Sequence, residues 1–360
     1  MEVLILNTSL ETVKNLDVFE SFIWTERFSA YGDFELYLPI EPDVFDYIKQ
    51  GYYVIIKDSK RAMIIETISV ESDVEDGARL AVSGRSLESI LERRIVWKQT
   101  TLSGSLQTGI QKLLNENIIS PSDSTRKISE FYFLASTNSA ITALTATAQF
   151  TGDNLYEAIK KLCDAFDIGF RVTLGTVSGA DKFIFELYTG DDRSYEQITN
   201  PYVIFSPGYE NLLNSNYMES EKNLKTVALV AGEGEGSARK TATVAASGGA
   251  KTGLDRREMF SDARDISQTV DDVTISDAEY TKQLTQRGTE DLTEHVSVKS
   301  FEAEAETNDT IYVCGVDYFI GDIVQLANEY GHTARSRITE IIRSESDSGY
   351  SVYPTFTSIE

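Results

Sequence analysis

The stretch that decides how this chain is read begins Ala62-Met63-Ile64-Ile65-Glu66-Thr67-Ile68-Ser69-Val70. It passes through Ser72-Asp73-Val74-Glu75-Asp76-Gly77 to Arg79-Leu80-Ala81-Val82-Ser83, and ends in Gly84-Arg85-Ser86-Leu87-Glu88-Ser89-Ile90-Leu91-Glu92-Arg93-Arg94-Ile95-Val96. Ala62, Ile64, Ile68 and Val70 fall on one face at a period of two, broken only at Glu66, which predicts a strand. Residues 72 to 77 have turn chemistry, with Gly77 able to take a positive φ, and predict a hairpin. After Gly84 the period changes: Ser86 can cap a helix carrying Leu87, Ile90 and Leu91. A hairpin that runs straight into a helix points to a β-rich α+β fold.

Working outward, the N-terminal side reads as strands at Val3 to Leu6, Phe19 to Trp24, Phe34 to Leu38 and Tyr52 to Ile56. One short helix interrupts them, with Pro42 at its start, Val44, Phe45 and Ile48 on one side and Gly51 at its stop. Residues 1–97 are therefore expected to form a small barrel or sandwich with a helix plugged into one side. Residues 98–200 are expected to be an α+β domain. Leu106, Ile110, Leu113 and Leu114 make one helical stripe, and Leu155, Ile159, Leu162, Cys163 and Phe166 make another that Asp153 is placed to cap. Phe170 to Leu174 and Phe183 to Tyr188 follow as a strand pair. Residues 201–360 are expected to form a second β-barrel, with strands at Val203 to Phe205, Thr226 to Val230, Val296 to Ala303, Thr310 to Val313, Ile323 to Ala327, Arg337 to Ile342 and Tyr350 to Phe356. Within it, the Gly, Ala, Ser and Thr of residues 232 to 253 predict a flexible insertion reaching to about residue 262. Ser276 and Glu279 form a capping box for a helix to about Glu294 that carries Tyr280, Leu284 and Leu292.

The 360 residues carry 33 Lys and Arg against 57 Asp and Glu, a formal charge of −24. Gripping phosphates requires cations to neutralise them, so nucleic-acid binding is disfavoured. An acidic wall can nevertheless let a polyanion pass without holding it. Cys163 and Cys314 lie far apart in apolar settings, and core packing is the role predicted for both. The N-terminus has no basic region and reads as a strand, and no run of eighteen apolar residues predicts a membrane span.

The motifs that would announce an enzyme fail one by one. Gly232-Glu233-Gly234-Glu235-Gly236 lacks the third glycine of a dinucleotide loop and places two glutamates where a pyrophosphate would approach. His295 and His332, the only histidines, have no metal-spaced partners; His295 sits at a helix end and His332 in an expected turn. Gly-x-Ser-x-Gly is absent, and acids near Asp73 and Asp76 miss the calcium-loop pattern. Asp191-Asp192 beside Arg193 predicts a turn held by an ion pair. No cofactor or metal is expected, and no catalytic step.

Five segments resemble, in order along the chain, the hub proteins of siphophage tails. They are Gly84-Arg85-Ser86-Leu87-Glu88 leading to Leu91-Glu92-Arg93-Arg94-Ile95; the helix from Asn154-Leu155 to Cys163 leading into Ile168-Gly169-Phe170-Arg171-Val172; Tyr188-Thr189-Gly190-Asp191-Asp192-Arg193-Ser194; Phe205-Ser206 with Asn211-Leu212; and Tyr318-Phe319-Ile320-Gly321-Asp322-Ile323-Val324 followed by Arg337-Ile338-Thr339-Glu340. The resemblance extends to the hubs of contractile tails. It implies two tail-tube-like β-barrel domains per subunit with an α+β region between them, and a homotrimer in the virion at the distal end of the tail. The partners it implies are a distal tail or tail-tube protein on one side and a tail fibre or receptor-binding protein on the other, with genomic DNA passing through without specific binding. It assigns structural roles to Gly84, Arg85, Leu87, Leu91, Arg93, Arg94, Asp192, Arg193, Gly321, Asp322 and Arg337. A carbohydrate-binding adhesive module is the rival reading, raised by 18 Tyr and 17 Phe.

Overall fold

The structure, a computed structural model, describes residues 1–73, 77–212, 215–270, 273–303, 311–330 and 333–359. The chain opens with β1 (Val3–Leu6), β2 (Thr12–Leu16), β3 (Ser21–Arg27) and β4 (Asp33–Pro39), then the single turn α1 (Val44–Tyr47), then β5 (Tyr53–Ile56), β6 (Ala62–Asp73) and β7 (Gly77–Ser86). β6 and β7 pair from Met63 opposite Ser86 to Asp73 opposite Gly77, as the hairpin reading requires; residues 74 to 76 at its tip lie outside the described residues.

The face expected from Ala62, Ile64, Ile68 and Val70 does not run straight through. Pairing shifts between Ile65 and Thr67, so Glu66 is an extra residue in the ladder. A one-residue bulge reverses which side chains face which way. Ala62 and Ile64 enter one core and Met63 and Ile65 a second on the opposite face; past the bulge Ile68 joins the second, and Val70 is exposed. The start of β6 is thus a wall shared by two cores, which is why four consecutive apolar residues stand there. Gly84 lies opposite this point, and a Cβ on it would overlap the Ile64 carbonyl oxygen.

The middle of the chain carries a 3-10 helix (Leu87–Arg93), β8 (Thr100–Ser105), α2 (Leu106–Leu114), β9 (Phe131–Leu134), the short α3 (Ser139–Thr142), β10 (Thr145–Phe150), α4 (Leu155–Ala165), β11 (Gly169–Val177) and β12 (Ala180–Tyr188). Ser86 does not cap the 3-10 helix; its hydroxyl accepts from the Gly32 amide at 2.7 Å instead. The expected cap at Asp153 also moves by one residue: Asn154 Oδ1 accepts from the Tyr156 amide at 2.9 Å, and Asp153 accepts from Thr151. Leu155, Ile159, Leu162 and Cys163 of α4 are buried, as the stripe predicts, and both cysteines are free thiols. β9, β12 and β11 form a three-stranded sheet over this core.

The last part holds β13 (Ile204–Phe205), β14 (Ser215–Ser220), β15 (Val227–Ala231), β16 (Thr241–Ala245), β17 (Glu258–Asp262), β18 (Thr269–Val270), β19 (Val273–Thr274), α5 (Asp277–Thr293), β20 (Val298–Ala303), β21 (Ile323–Ala327), β22 (Thr333–Ser346) and β23 (Gly349–Ser358). The insertion expected to be flexible is largely built. β16 pairs antiparallel with β15, and β17 pairs with β15 in parallel. Ala242 and Val244 face α5 with Ala228 and Val230, while Thr241 and Thr243 face solvent. Small residues suit this because α5 lies close: a Cβ on Gly288 would come within 2.6 Å of Val230 and 2.7 Å of Val244. A strand expected to end at Val313 is instead a non-strand segment over residues 311 to 313, with Thr310 outside the described residues.

The fold is β-rich α+β, and its two β-rich ends share one sheet. The strand path runs β14, β20, β23, β22, β3, β4, β7, β6, β5, β1, β2, with β21 and β13 branching from β22. β22 joins the ends of the chain: its second half pairs with β3, Arg343 opposite Trp24 and Glu340 opposite Arg27. Where two separate barrels were expected, the path among the described residues does not return on itself to close either one.

α5 also contacts the middle of the chain. Lys161 on α4 pairs with Asp291 at 2.7 Å. The neighbouring Glu290 is almost fully buried, and its only hydrogen-bond partner among the described residues is Gln286, at 3.1 Å. Desolvation raises its pKa from 4.5 to about 7, against the pull of Lys161. Because the folded pKa is raised, this contribution to stability is full below about pH 4.5 and is lost as pH rises through about 7. Glu290→Gln is expected to remove that slope and to be more stable than the native chain at pH 8, by on the order of 3 kcal/mol, in urea titrations across pH. Gly84→Ala is expected to cost more than about 3 kcal/mol in the same assay, since the overlap is with backbone.

Candidate functional site, the buried ion-pair junction

Two clusters of charge sit where the parts of the chain meet. The first is a chain of four side chains, Glu88, Arg61, Glu26 and Arg343, all buried. The 3-10 helix supplies Glu88, the residue just before β6 is Arg61, β3 supplies Glu26 and β22 Arg343. Arg61 donates to Glu88 at 2.5 Å and lies 3.8 Å from Glu26; Arg343 donates to Glu26 at 2.6 Å. Neighbouring groups add further hydrogen bonds, although Glu88 Oε2 has no partner among the described residues. Glu88 also accepts from the Val172 amide at 3.0 Å, Glu26 from the Trp24 indole at 3.2 Å, and the Arg27 carbonyl accepts from Arg61 at 2.6 Å. Arg343 reaches the Cys314 sulfur at 3.5 Å, and Tyr188 donates to the Phe28 carbonyl at 3.1 Å while accepting from Arg61 at 3.3 Å. Burial alone would depress the Arg61 pKa, but Glu88, Tyr188 and Glu26 outweigh it and keep the guanidinium charged.

The second cluster gathers residues that the sequence marked. Asp322 is buried and accepts from the Arg193 guanidinium at 2.7 Å, the Asp191 amide at 2.8 Å and the Phe319 amide at 3.0 Å. Desolvation nonetheless leaves its pKa above the ordinary value. Burial pushes the Asp192 pKa the same way, but hydrogen bonds from Ser194 and Arg335, the latter at 2.7 Å, reverse the sign and lower it. Arg337 donates to the Gly321 carbonyl and to Asp167, each at 2.6 Å, with its guanidinium 4.7 Å over the Phe28 ring. Gly321 takes φ +93°, and a Cβ there or on Gly169 would strike Phe28 at 2.7 and 2.6 Å. Gly190 packs directly on Gly321, leaving no room for a side chain on either.

Asp192, Arg193, Gly321, Asp322 and Arg337 therefore meet at one place, although the chain separates them into three segments. The other marked residues lie elsewhere. Arg85 grips Glu66 through two bonds at 2.7 and 3.0 Å and Glu92 at 2.5 Å, so the bulge residue is held by charge. Leu87 and Leu91 are buried in the middle core, Arg94 donates to the Arg126 carbonyl at 3.0 Å, and Arg93 is exposed. Sequence reading missed Phe28, Glu26, Arg61, Glu88 and Arg343. Arg61 closes the polar run Lys57-Asp58-Ser59-Lys60-Arg61 and Glu88 stands among Ser86, Leu87 and Ser89, so nothing local marks either as buried. The Asp291 carbonyl accepts from His295 Nδ1 at 2.8 Å; His332 lies outside the described residues.

Most of the charged groups in these clusters are paired with another protein group, although Glu88 Oε2, Arg335 Nε and Arg337 Nε are buried without a hydrogen-bond partner among the described residues, and the pairing fixes geometry. Removing one partner of such a buried pair strands the other's charge, at a typical cost of about 3–5 kcal/mol. Glu88→Gln is expected to fall in the lower half of that range and Glu26→Ala in the upper half, measured by urea unfolding.

A family model described as Siphovirus ReqiPepy6 Gp37-like protein matches residues 2–356. No curated protein sequence matches the chain. Three solved structures share its fold over 99% of its length: the tail protein from Neisseria meningitidis MC58 (13% identity, TM-score 0.59, 96% of that chain), the 43 kDa tail protein of prophage MuSo2 from Shewanella oneidensis (14%, 0.57, 98%) and prophage tail protein gp18 from Listeria monocytogenes EGD-e (13%, 0.56, 94%).

Proposed function

The chain belongs to the Siphovirus ReqiPepy6 Gp37-like protein family, and from that premise we propose that it is a structural component of a phage tail, a ring-forming hub at the distal end of the tail tube. In this role copies of the chain, three to a ring, join a tail-tube or distal tail protein above to a fibre or receptor-binding protein below. Their centre forms part of the path along which DNA leaves the particle. The chain is made in the host cytoplasm and works in the virion by position, with no catalytic step.

The observation that carries this reading is the match of fold over the whole chain to three tail proteins, at identities too low to convey more than architecture. Two physical features support it. A part that transmits force between tube and fibre must hold its shape, and the shared sheet with its buried ion pairs ties both chain ends and the middle together. A charge of −24 suits a channel for a polyanion, because a carboxylate-lined wall repels DNA and leaves it free to slide. No helix among the described residues is long and apolar enough to cross a membrane.

Light scattering of the purified chain, followed by negative-stain imaging, is expected to give a mass three times 40.1 kDa and a three-fold ring with an open centre. A compact monomer at every concentration would overturn the ring.

A further inference from the structure

We propose that the large cavity beside the Lys57–Arg61 turn receives the acidic, phenylalanine-tipped corner at α1 of a neighbouring copy of this chain, an inference that rests on the ring reading above. The cavity, about 910 Å³, lies between that turn and the segment from Tyr312 to Ile320. Its walls hold five cationic side chains, Lys57, Lys60, Arg61, Arg171 and Arg343, against two carboxylates, Glu26 and Asp58. In a chain of charge −24 this is a concentration of the minority sign. Arg61 and Arg343 are neutralised by Glu26 and Glu88, but Lys60 is exposed and makes no ion pair among the described residues, and Arg171 commits only its Nε, to Glu186 at 2.7 Å. The lip is apolar, with Val313, Val316 and Phe319 each about half exposed or more. The site therefore suits carboxylates set around an apolar side chain.

Glu41-Pro42-Asp43-Val44-Phe45-Asp46 presents that combination. Val44 and Tyr47 anchor the turn in the core, leaving Phe45 49% exposed and ringed by the exposed carboxylates of Glu41, Asp43 and Asp46. Among the described residues the one cation paired there is Lys14, 3.9 Å from Asp43. The corner leads into the start of β5 and the cavity follows its end, so a single chain keeps them apart by the length of that strand, about 13 Å. A projecting feature on one side and its receptor on another make a head-to-tail contact, which closes into a ring when the rotation between copies divides a full turn. Copies that are all strongly acidic also need such a paired site to overcome their mutual repulsion.

The test is a charge swap in the full-length chain, read as oligomer mass against concentration by light scattering. Lys60→Glu and Asp46→Lys change exposed side chains, so thermal unfolding should match the native chain. Each alone is expected to weaken assembly about tenfold or more, and the double variant to restore it. Raising salt from about 0.05 to 0.5 M should weaken the native contact through screening. A native ring unaffected by either reversal overturns this contact and leaves the ring standing, as does a double variant that stays dissociated. A native chain that never assembles overturns both.

Discussion

Burying charge is costly, and the rest of this structure depends on how that cost is met. Glu88, Arg61, Glu26 and Arg343 are out of water, and none could be charged there without the next. Because the four come from the 3-10 helix, from the residue before β6, from β3 and from β22, pairing them sets three regions of the chain in one relative position. A hydrophobic contact tolerates sliding, whereas a guanidinium between two carboxylates does not. The pairing of β22 with β3, which makes one sheet of both chain ends, runs alongside this row of charges.

Shape supplies the second constraint. Phe28, at the end of β3, fits between Gly169 and Gly321 with Arg337 over its face and Tyr188 edge-on at 5.3 Å. The glycines permit a close approach that any side chain would block, and Arg337, bonded to Gly321, holds the turn in which Asp322 gathers Asp191, Arg193 and Phe319. Polar and steric locks thus coincide at the junction. The unit of β15, β16, β17 and α5 meets α4 differently, among the described residues through the Lys161–Asp291 ion pair and beside the buried Glu290.

For the structural tail role proposed above, this distribution of stability fits the task. Arg61, Arg337 and Arg343 are drawn inward, each paired with a carboxylate, while the chain as a whole keeps a large excess of acid to govern what approaches.

Much of the fold was legible in the sequence, because strand and helix periods follow from local burial. The hairpin of β6 and β7, the buried stripe of α4 and the capping box at Ser276 were readable in this way, and the order of five motif segments pointed to the family. The bulge at Glu66 was not, since it depends on Gly84 across the ladder. Nor was β16, whose small residues look unstructured until α5 is placed against them. Of the junction, Asp192, Arg193, Gly321, Asp322 and Arg337 were visible as separate motifs. That they converge, and that Phe28 and the row from Glu88 to Arg343 hold the same ground, was decided by tertiary structure alone. Periodicity records which side of an element is dry. Which distant charge waits on the other side of a dry wall is fixed only when two elements are brought together, and a single sequence carries no record of that distance.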